Sequence, residues 1–294
     1  MRPVSAVHAL GRVLIIGAGG QLGAYLMRTF SDLEPVGLEH RDMRIDEEKS
    51  AASALEKYKP EIVINTAAFH NVDCCEREPA AAFAINAVGV DIIAGLTASI
   101  GAVFVTFSTD YVFSGKKTTP YTEEDTPGPL NSYGISKYAG ELLTQRRAAP
   151  HLIVRTSGLY GAGVSSTKGY TFVNRILQQA QAGEPVRVVD DMFFSPSYAL
   201  HVAQATRRIL EARQFGVYHV AGAGYCSWYE FAKTALESSH IHAKIQPIKY
   251  ADFRSAVRRP MFSALENRAM EQAHIPGLPH WKDGLRAFVR ERSA

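Results

Sequence analysis

The sequence predicts a doubly wound α/β fold, a parallel sheet covered by helices on both faces, with a smaller second lobe toward the C-terminus. Three observations carry this. The apolar, β-rich runs of the first half are continuous where half-exposed strands would alternate, as strands buried on both faces require. The later runs are each preceded by a segment with a helical pattern, the order that builds a parallel sheet. After about Gly161 the regularity gives way to short elements punctuated by Gly and Pro, as in Ala182-Gly183-Glu184-Pro185 and Pro276-Gly277-Leu278-Pro279. With 294 residues, 46% of them hydrophobic, the chain can bury one large core or two lobes of ordinary size.

Residues 1–11 hold one arginine and no apolar stretch of signal-peptide length, and are expected to form a flexible N-terminal extension. The first strand, Val13 to Ile16, runs directly into Gly17-Ala18-Gly19-Gly20-Gln21-Leu22-Gly23 and a helical pattern with Leu22, Tyr25, Leu26 and Phe30 on one face. Gly17, Gly20 and Gly23 suit a tight strand-to-helix turn at which bare backbone approaches a pyrophosphate. An ordinary glycine-rich turn has the same appearance, and only its place between strand and helix favours a dinucleotide. The second strand, Val36 to Leu38, puts Glu39 where a carboxylate accepts from the adenosine ribose of NAD, while Arg41 and Arg44 are near enough in sequence to accommodate NADP. Both NADPH and NADH therefore stay open.

Further strands are expected at Glu61 to Asn65, Ala102 to Phe107 and Leu152 to Arg155. Ligands in such sheets bind beyond the carboxyl ends of the strands, so Thr109 and Asp110 should face the same cleft as the glycine turn. Next come Tyr133 and Lys137, four residues apart and hence on one face of a helix. A nearby ammonium is expected to lower the phenol from its ordinary value near 10, bringing it into range for acid chemistry. A half-buried Tyr and a surface Lys on an amphipathic helix would show the same spacing; the order glycine turn, strand-end hydroxyl, Tyr-x-x-x-Lys makes the joint signal strong. Val217 to Val220 reads as a strand returning to the sheet. The expected division is 12–165 plus about 190–222 for the dinucleotide-binding domain, and about 166–189 plus 223–294 for the substrate lobe.

The 32 basic and 29 acidic residues leave a net charge of +3 without long runs of either sign, so nucleic acid and membrane surfaces are not expected as partners. Three cysteines, two adjacent at Cys74 and Cys75, form neither a disulfide framework nor a spaced metal motif, which points to a reducing, cytoplasmic setting. Cys74 and Cys75 read as packing at a helix start, and Trp228 and Trp281 as packing in the second lobe.

GAGGQLG at 17–23, VINTAAFHNVDCCE at 63–76, STDYVFSG at 108–115, PLNSYGISKYAGE at 129–141, RTSGLYG at 155–161 and GVYHVAGAGYCSWYEFA at 216–232 together resemble the extended short-chain dehydrogenase/reductases. Within these, the chain resembles the dTDP-4-dehydrorhamnose reductase family over nearly its whole length. The resemblance implies a Rossmann-like fold and hydride transfer from NADPH or NADH to the C4 ketone of a nucleotide-linked 4-keto-6-deoxy sugar. It implies that Tyr133 protonates the alkoxide, that Lys137 holds the nicotinamide ribose and that Thr109 polarises the ketone. It also implies that Gly20, Gln21 and Leu22 meet the pyrophosphate, that Asp46 lies near the adenine, and that Ala67, Ala68 and Phe107 line the cofactor trough. Val72, Asp110 and Arg259 are expected to meet the substrate, and a homodimer is left open.

Two positions depart from the family. Gly158 stands where members carry a Trp expected to touch the sugar, and Asp190 to Ser197 replace a DQxGxPT stretch. Some members bind magnesium at a dimer contact through a glutamate whose position is Tyr25 here, so no metal is expected. Related readings remain: a nucleotide-sugar epimerase or dehydratase, against which Tyr111 stands where dehydratases carry Glu, and a non-catalytic regulatory subunit similar to that of methionine adenosyltransferase.

Overall fold

The computed structural model describes residues 10–147, 150–162, 171–253 and 255–293. Most of the expected N-terminal extension and the boundary expected near residue 165 lie outside them. β1 (Val13–Ile16) leads into α1 (Gln21–Thr29), followed by β2 (Val36–Leu38), α2 (Glu48–Tyr58) and β3 (Ile62–Asn65). α3 (Val72–Arg77), α4 (Pro79–Phe83), a π-helical segment at Ala84–Gly89 and α5 (Val90–Ser99) then bring the chain to β4 (Val103–Thr109). α6 (Ser132–Arg147) and β5 (His151–Thr156) follow. Beyond them lie β6 (Leu159–Tyr160), α7 (Phe172–Gln181), β7 (Val186–Val189), β8 (Phe193–Phe194), β9 (Ser197–Tyr198), α8 (Ala199–Glu211) and β10 (Gly216–His219). β11 (Cys226–Ser227), α9 (Trp228–Ser238), β12 (Ile245–Ile248), α10 (Arg268–Gln272) and α11 (Trp281–Ser293) complete the fold.

Six strands form one parallel sheet in the order β10-β5-β4-β3-β1-β2. The chain moves outward from β1 to β2 and then crosses to β3 on the other side, so a crevice opens at the carboxyl ends of β1 and β3. All four residues of β1 and of β3 are buried, which is why their apolar runs do not alternate. One face of the sheet packs Val13, Ile15, Ile62 and Ile64 into a core continuous with Phe231, Trp281 and Phe288 of α9 and α11, and the other packs Leu14, Ile16 and Val63 beneath α2 and α5. Burying each such side chain stabilises the fold by about 1.5–3 kcal/mol.

Several local expectations shift. β4 runs two residues past Phe107 to include Ser108 and Thr109, because these side chains are buried and β-branched threonine suits a strand. The returning strand is Gly216–His219, so Val220 follows it. Residues 79–99 form a helical run with a mean hydropathy of 1.7, long and apolar enough by composition to cross a membrane. Here the run packs against β4 and α6, and its Asp91 pairs with Arg146 and Arg147.

Candidate active site

The glycine turn is forced by contacts that a Cβ would violate. Gly17 has φ +78°, and a Cβ there would sit 2.6 Å from Thr66 Oγ1; one at Gly23 would sit 2.1 Å from the Gly17 carbonyl oxygen. The turn is tied to β2 by Gly17 and Ala18, whose N–H groups donate to the Leu38 carbonyl at 2.8 and 3.1 Å. α1 starts at Gly20 with no side-chain cap and no acidic residue in its first turn, which leaves N–H groups free for an anion. This bare backbone cradle fits a dinucleotide pyrophosphate. Gln21 Nε2 reaches Gly161 O at 3.3 Å, whereas the Leu22 side chain is buried, so Leu22 has only its backbone to offer. The Glu39 carboxylate lies beside the turn: a Cβ on Gly19 would be 2.7 Å from its Oε1, and Arg41 Nε is 3.4 Å from its Oε2.

Ala67 and Ala68 follow the end of β3, with Ala67 N–H held by Asn65 Oδ1 at 3.1 Å. Phe107 is buried in the core two residues before Thr109. Asp46 is engaged by Arg44 through Nη2–Oδ2 at 2.9 Å, and that contact holds its carboxyl below the ordinary range. Val72 opens α3, whose N-cap Asn71 accepts from Cys74 N–H.

At the end of β4, Thr109 Oγ1 donates to Asp110 Oδ1 at 3.0 Å and interacts with the Tyr133 phenol. Asp110 also accepts from Ser157 Oγ at 2.9 Å and Ser263 Oγ at 2.5 Å; burial pushes its carboxyl up to about 6 against these three hydroxyls. Tyr111 packs edge-on against Tyr133, with ring centroids 5.9 Å apart. Arg259 spans back to Val72's neighbour Asp73, its Nη2 donating to both carboxylate oxygens at 3.0 Å, and also donates to Ser255 Oγ. Thus Thr109, Asp110 and Tyr133 gather at the end of β4, with Lys137 one turn along α6 from Tyr133, and the glycine-turn residues lie at the end of β1. Asp46 is committed to its own ion pair.

One electrostatic expectation is corrected. Burial pushes the Tyr133 phenol above its ordinary value; Thr109 opposes the shift, Asp110 adds to it, and Lys137 is not among the groups that move it. Lys137 is buried, whereas Tyr133 is partly buried, and desolvation is the largest influence on its phenol. Lys137, 6% exposed, is lowered by the same burial to about 8, with Glu141 and Cys75 opposing.

Several contributors have no motif of their own. Asn86, in the π-helical segment, clamps Phe69 through Phe69 N–H→Oδ1 and Nδ2→Phe69 O, both at 2.9 Å, and donates to Ser136 Oγ at 3.0 Å beside Lys137. The one sequence signal was a lone polar residue in an apolar helical run, Ala84 to Val90. Cys75 is fully buried as expected of packing, yet acts electrostatically on both Tyr133 and Lys137. Trp281 is buried, and Trp228 stacks on Phe194 at 3.8 Å.

The two departures from the family meet in space. Gly158 has φ +51°, and a Cβ there would lie 2.2 Å from Phe194 Cε2, so the Phe194 ring and a side chain at 158 exclude one another. Tyr25 bonds to Glu291 and Tyr198 and accepts from Ala162 N–H at 2.9 Å.

A doubly wound sheet with a bare glycine cradle at one strand end and a Thr, Tyr and Lys constellation at another defines a dinucleotide-dependent short-chain oxidoreductase. The family described as RmlD substrate binding domain matches residues 11–293, and the chain belongs to it. It is 39% identical to the spore coat polysaccharide biosynthesis protein SpsK of Bacillus subtilis, covering 96% of this chain and 98% of that protein. It is 33% identical to a dTDP-4-dehydrorhamnose reductase of Burkholderia thailandensis, with 95% and 98% covered. A dTDP-4-dehydrorhamnose reductase from Bacillus anthracis, solved in complex with NADP, superposes with a TM-score of 0.92 at 32% identity, with 96% of this chain and 100% of that chain covered.

Proposed function

We propose that this chain is a cytoplasmic reductase that uses NADPH to reduce the C4 ketone of a nucleotide-linked 4-dehydro-6-deoxy sugar, converting dTDP-4-dehydrorhamnose to dTDP-L-rhamnose. The observation that carries this reading is the Thr109, Tyr133 and Lys137 group at the end of β4, in a family whose relatives at 30% identity and above include named dTDP-4-dehydrorhamnose reductases. Residues 12–165 plus 190–222 serve the cofactor, and 166–189 plus 223–294 serve the sugar.

The reduced nicotinamide, when bound, supplies the hydride. Gly17, Gly20, Gln21 and the backbone of Leu22 receive the pyrophosphate, and Glu39 with Arg41 meets the adenosine ribose. Ala67 and Ala68 border the trough, with Phe107 and Asp46 at its margins. Thr109 turns its hydroxyl from Asp110 to the sugar ketone and polarises it. Tyr133, kept protonated at neutral pH by burial, gives its proton to the C4 oxygen as that oxygen becomes an alkoxide. The buried ammonium of Lys137 stabilises the phenolate left behind until solvent returns the proton. Val72, Asp110 and Arg259 border the sugar side. Tyr111 follows Asp110 where dehydratases carry the Glu that drives elimination of water.

The test is a panel of nucleotide 4-keto sugars with NADPH and NADH. Tyr133→Phe should retain NADPH binding and lose about 100- to 10,000-fold in turnover, the usual worth of general acid catalysis. No oxidation of either cofactor by the wild-type chain, together with tight binding to another protein, would sink the reading in favour of a regulatory subunit.

A further inference from the structure

Behind the catalytic group lies a charged pair that the mechanism above does not use. Glu141 and Arg155 are joined through Nε–Oε1 at 3.0 Å, Nε–Oε2 at 3.2 Å and Nη2–Oε2 at 2.7 Å. Their side chains are 1% and 5% exposed. Such a pair is weak evidence for stability, because desolvating two charges offsets most of their attraction and apolar residues of similar volume often serve as well. Its position offers another reason. Glu141 follows Lys137 by four residues on α6, so both side chains leave the same face one turn apart. Arg155 pairs in register with Ser108, one residue before Thr109, which sets the ion pair directly behind the catalytic strand end.

We propose that Glu141 is a positioning residue for the reductase: held in a fixed orientation by Arg155, its carboxylate keeps the buried Lys137 ammonium charged while Tyr133 transfers its proton. The proposal rests on the reductase reading. The groups that act on Lys137 are Glu141 on its own helix and Cys75 from α3. Burial drives Lys137 down to about 8, and Glu141 is the larger of the two influences that resist this. Arg155, on β5, fixes the carboxylate through three hydrogen bonds. Without Glu141 the lysine would lose its proton nearer neutrality, and the phenolate of Tyr133 would lose its counter-charge.

The experiment follows the ¹³Cε resonance of Lys137 through a pH titration in the wild type and in Glu141→Gln, with the signal assigned by its loss in Lys137→Arg. The midpoint should fall by about 1 unit in Glu141→Gln, as removal of one nearby opposite charge implies. Turnover of the variant at pH 8 should then be about eightfold below its value at pH 6.5, against about twofold in the wild type, with KM for the sugar unchanged. Should Glu141→Gln fail to fold because Arg155 is left alone, Glu141→Leu/Arg155→Met removes both charges at similar volume and should show the same shift. An unchanged Lys137 midpoint in the folded variant overturns the proposal. Because the titration needs no turnover, a wild type inactive on every 4-keto sugar would overturn the reductase reading separately.

Discussion

Tyr133 is suited to giving a proton because burial keeps it neutral, and Lys137 is suited to supporting the resulting phenolate only while it stays charged. The second condition limits the pH range. Lys137 loses its charge as pH rises through about 8, so turnover should be flat at neutral pH and decline on the alkaline side, as a kcat profile measured between pH 6 and 9.5 would show. A profile still rising at pH 9 would contradict this assignment. At the other end of the cleft, Arg41 sits 3.4 Å from the Glu39 carboxylate and is 79% exposed, free to turn toward the extra phosphate of NADP. Arg41→Ala should raise KM for NADPH roughly fivefold and leave KM for NADH nearly unchanged, the scale of an exposed charge contact of about 1 kcal/mol. Equal effects on both would remove Arg41 from that role. Tyr133, Lys137 and Thr109 are legible in sequence because helical spacing or a strand end places them. Ser157 and Ser263 are not, since they reach Asp110 from 47 and 153 residues away and only the folded chain brings them there.

The element that matters most is α6, which carries both Tyr133 and Lys137. It approaches its neighbours closely at two glycines: a Cβ on Gly134 would lie 2.3 Å from the Tyr111 carbonyl oxygen, and one on Gly140 would lie 2.2 Å from the Asn86 carbonyl oxygen. Both obstacles are backbone, so neither side can yield by changing rotamer. Gly140→Ala should therefore push α6 away from the π-helical segment, cost about 1–3 kcal/mol by overpacking and displace Lys137. Denaturant melts and turnover should fall together; a fully stable, fully active variant would contradict the close contact. The parallel strands were readable from their continuous apolar runs, and β2 was bounded to the residue. The π-helical segment was not, because one extra residue in a helical turn leaves the apolar pattern of Ala84 to Val90 unchanged. The extension of β4 to Thr109 was missed for a related reason: polar residues buried at a strand end look like the start of a loop.

At the scale of the whole molecule, the segment Arg258 to Ser263 returns over the strand ends: Asn131 Nδ2 donates to Arg258 O at 2.8 Å, Arg259 pairs with Asp73, and Ser263 donates to Asp110. Nearby, His219 is fully buried at the end of β10, with Nδ1 facing the carbonyls of Tyr121 and Glu266. Burial, with Arg155 adding to it, lowers the imidazole to about 3. A lowered histidine binds no proton in the folded state while the unfolded chain takes one below about 6.5, so this group makes stability fall with falling pH across that interval, by about 1.4 kcal/mol per unit. His219→Gln should flatten the dependence of unfolding free energy on pH between 6.5 and 4.5 by about one proton, measured by urea melts; an unchanged slope would place the acid sensitivity elsewhere. The return of the late segment onto the cleft was visible in sequence only through its resemblance to a family, since no spacing rule links residue 263 to residue 110. The mutual exclusion of Phe194 and a side chain at 158 was likewise hidden, because each departure looked independent along the chain. The most direct test of the central claim is to supply NADPH deuterated at C4 of the nicotinamide with dTDP-4-dehydrorhamnose and locate the label in the sugar by NMR. Deuterium on C4 of the product sugar, formed by the wild type and lost with Tyr133→Phe, is the predicted result; label retained in the cofactor, or found at any other sugar carbon, would contradict it.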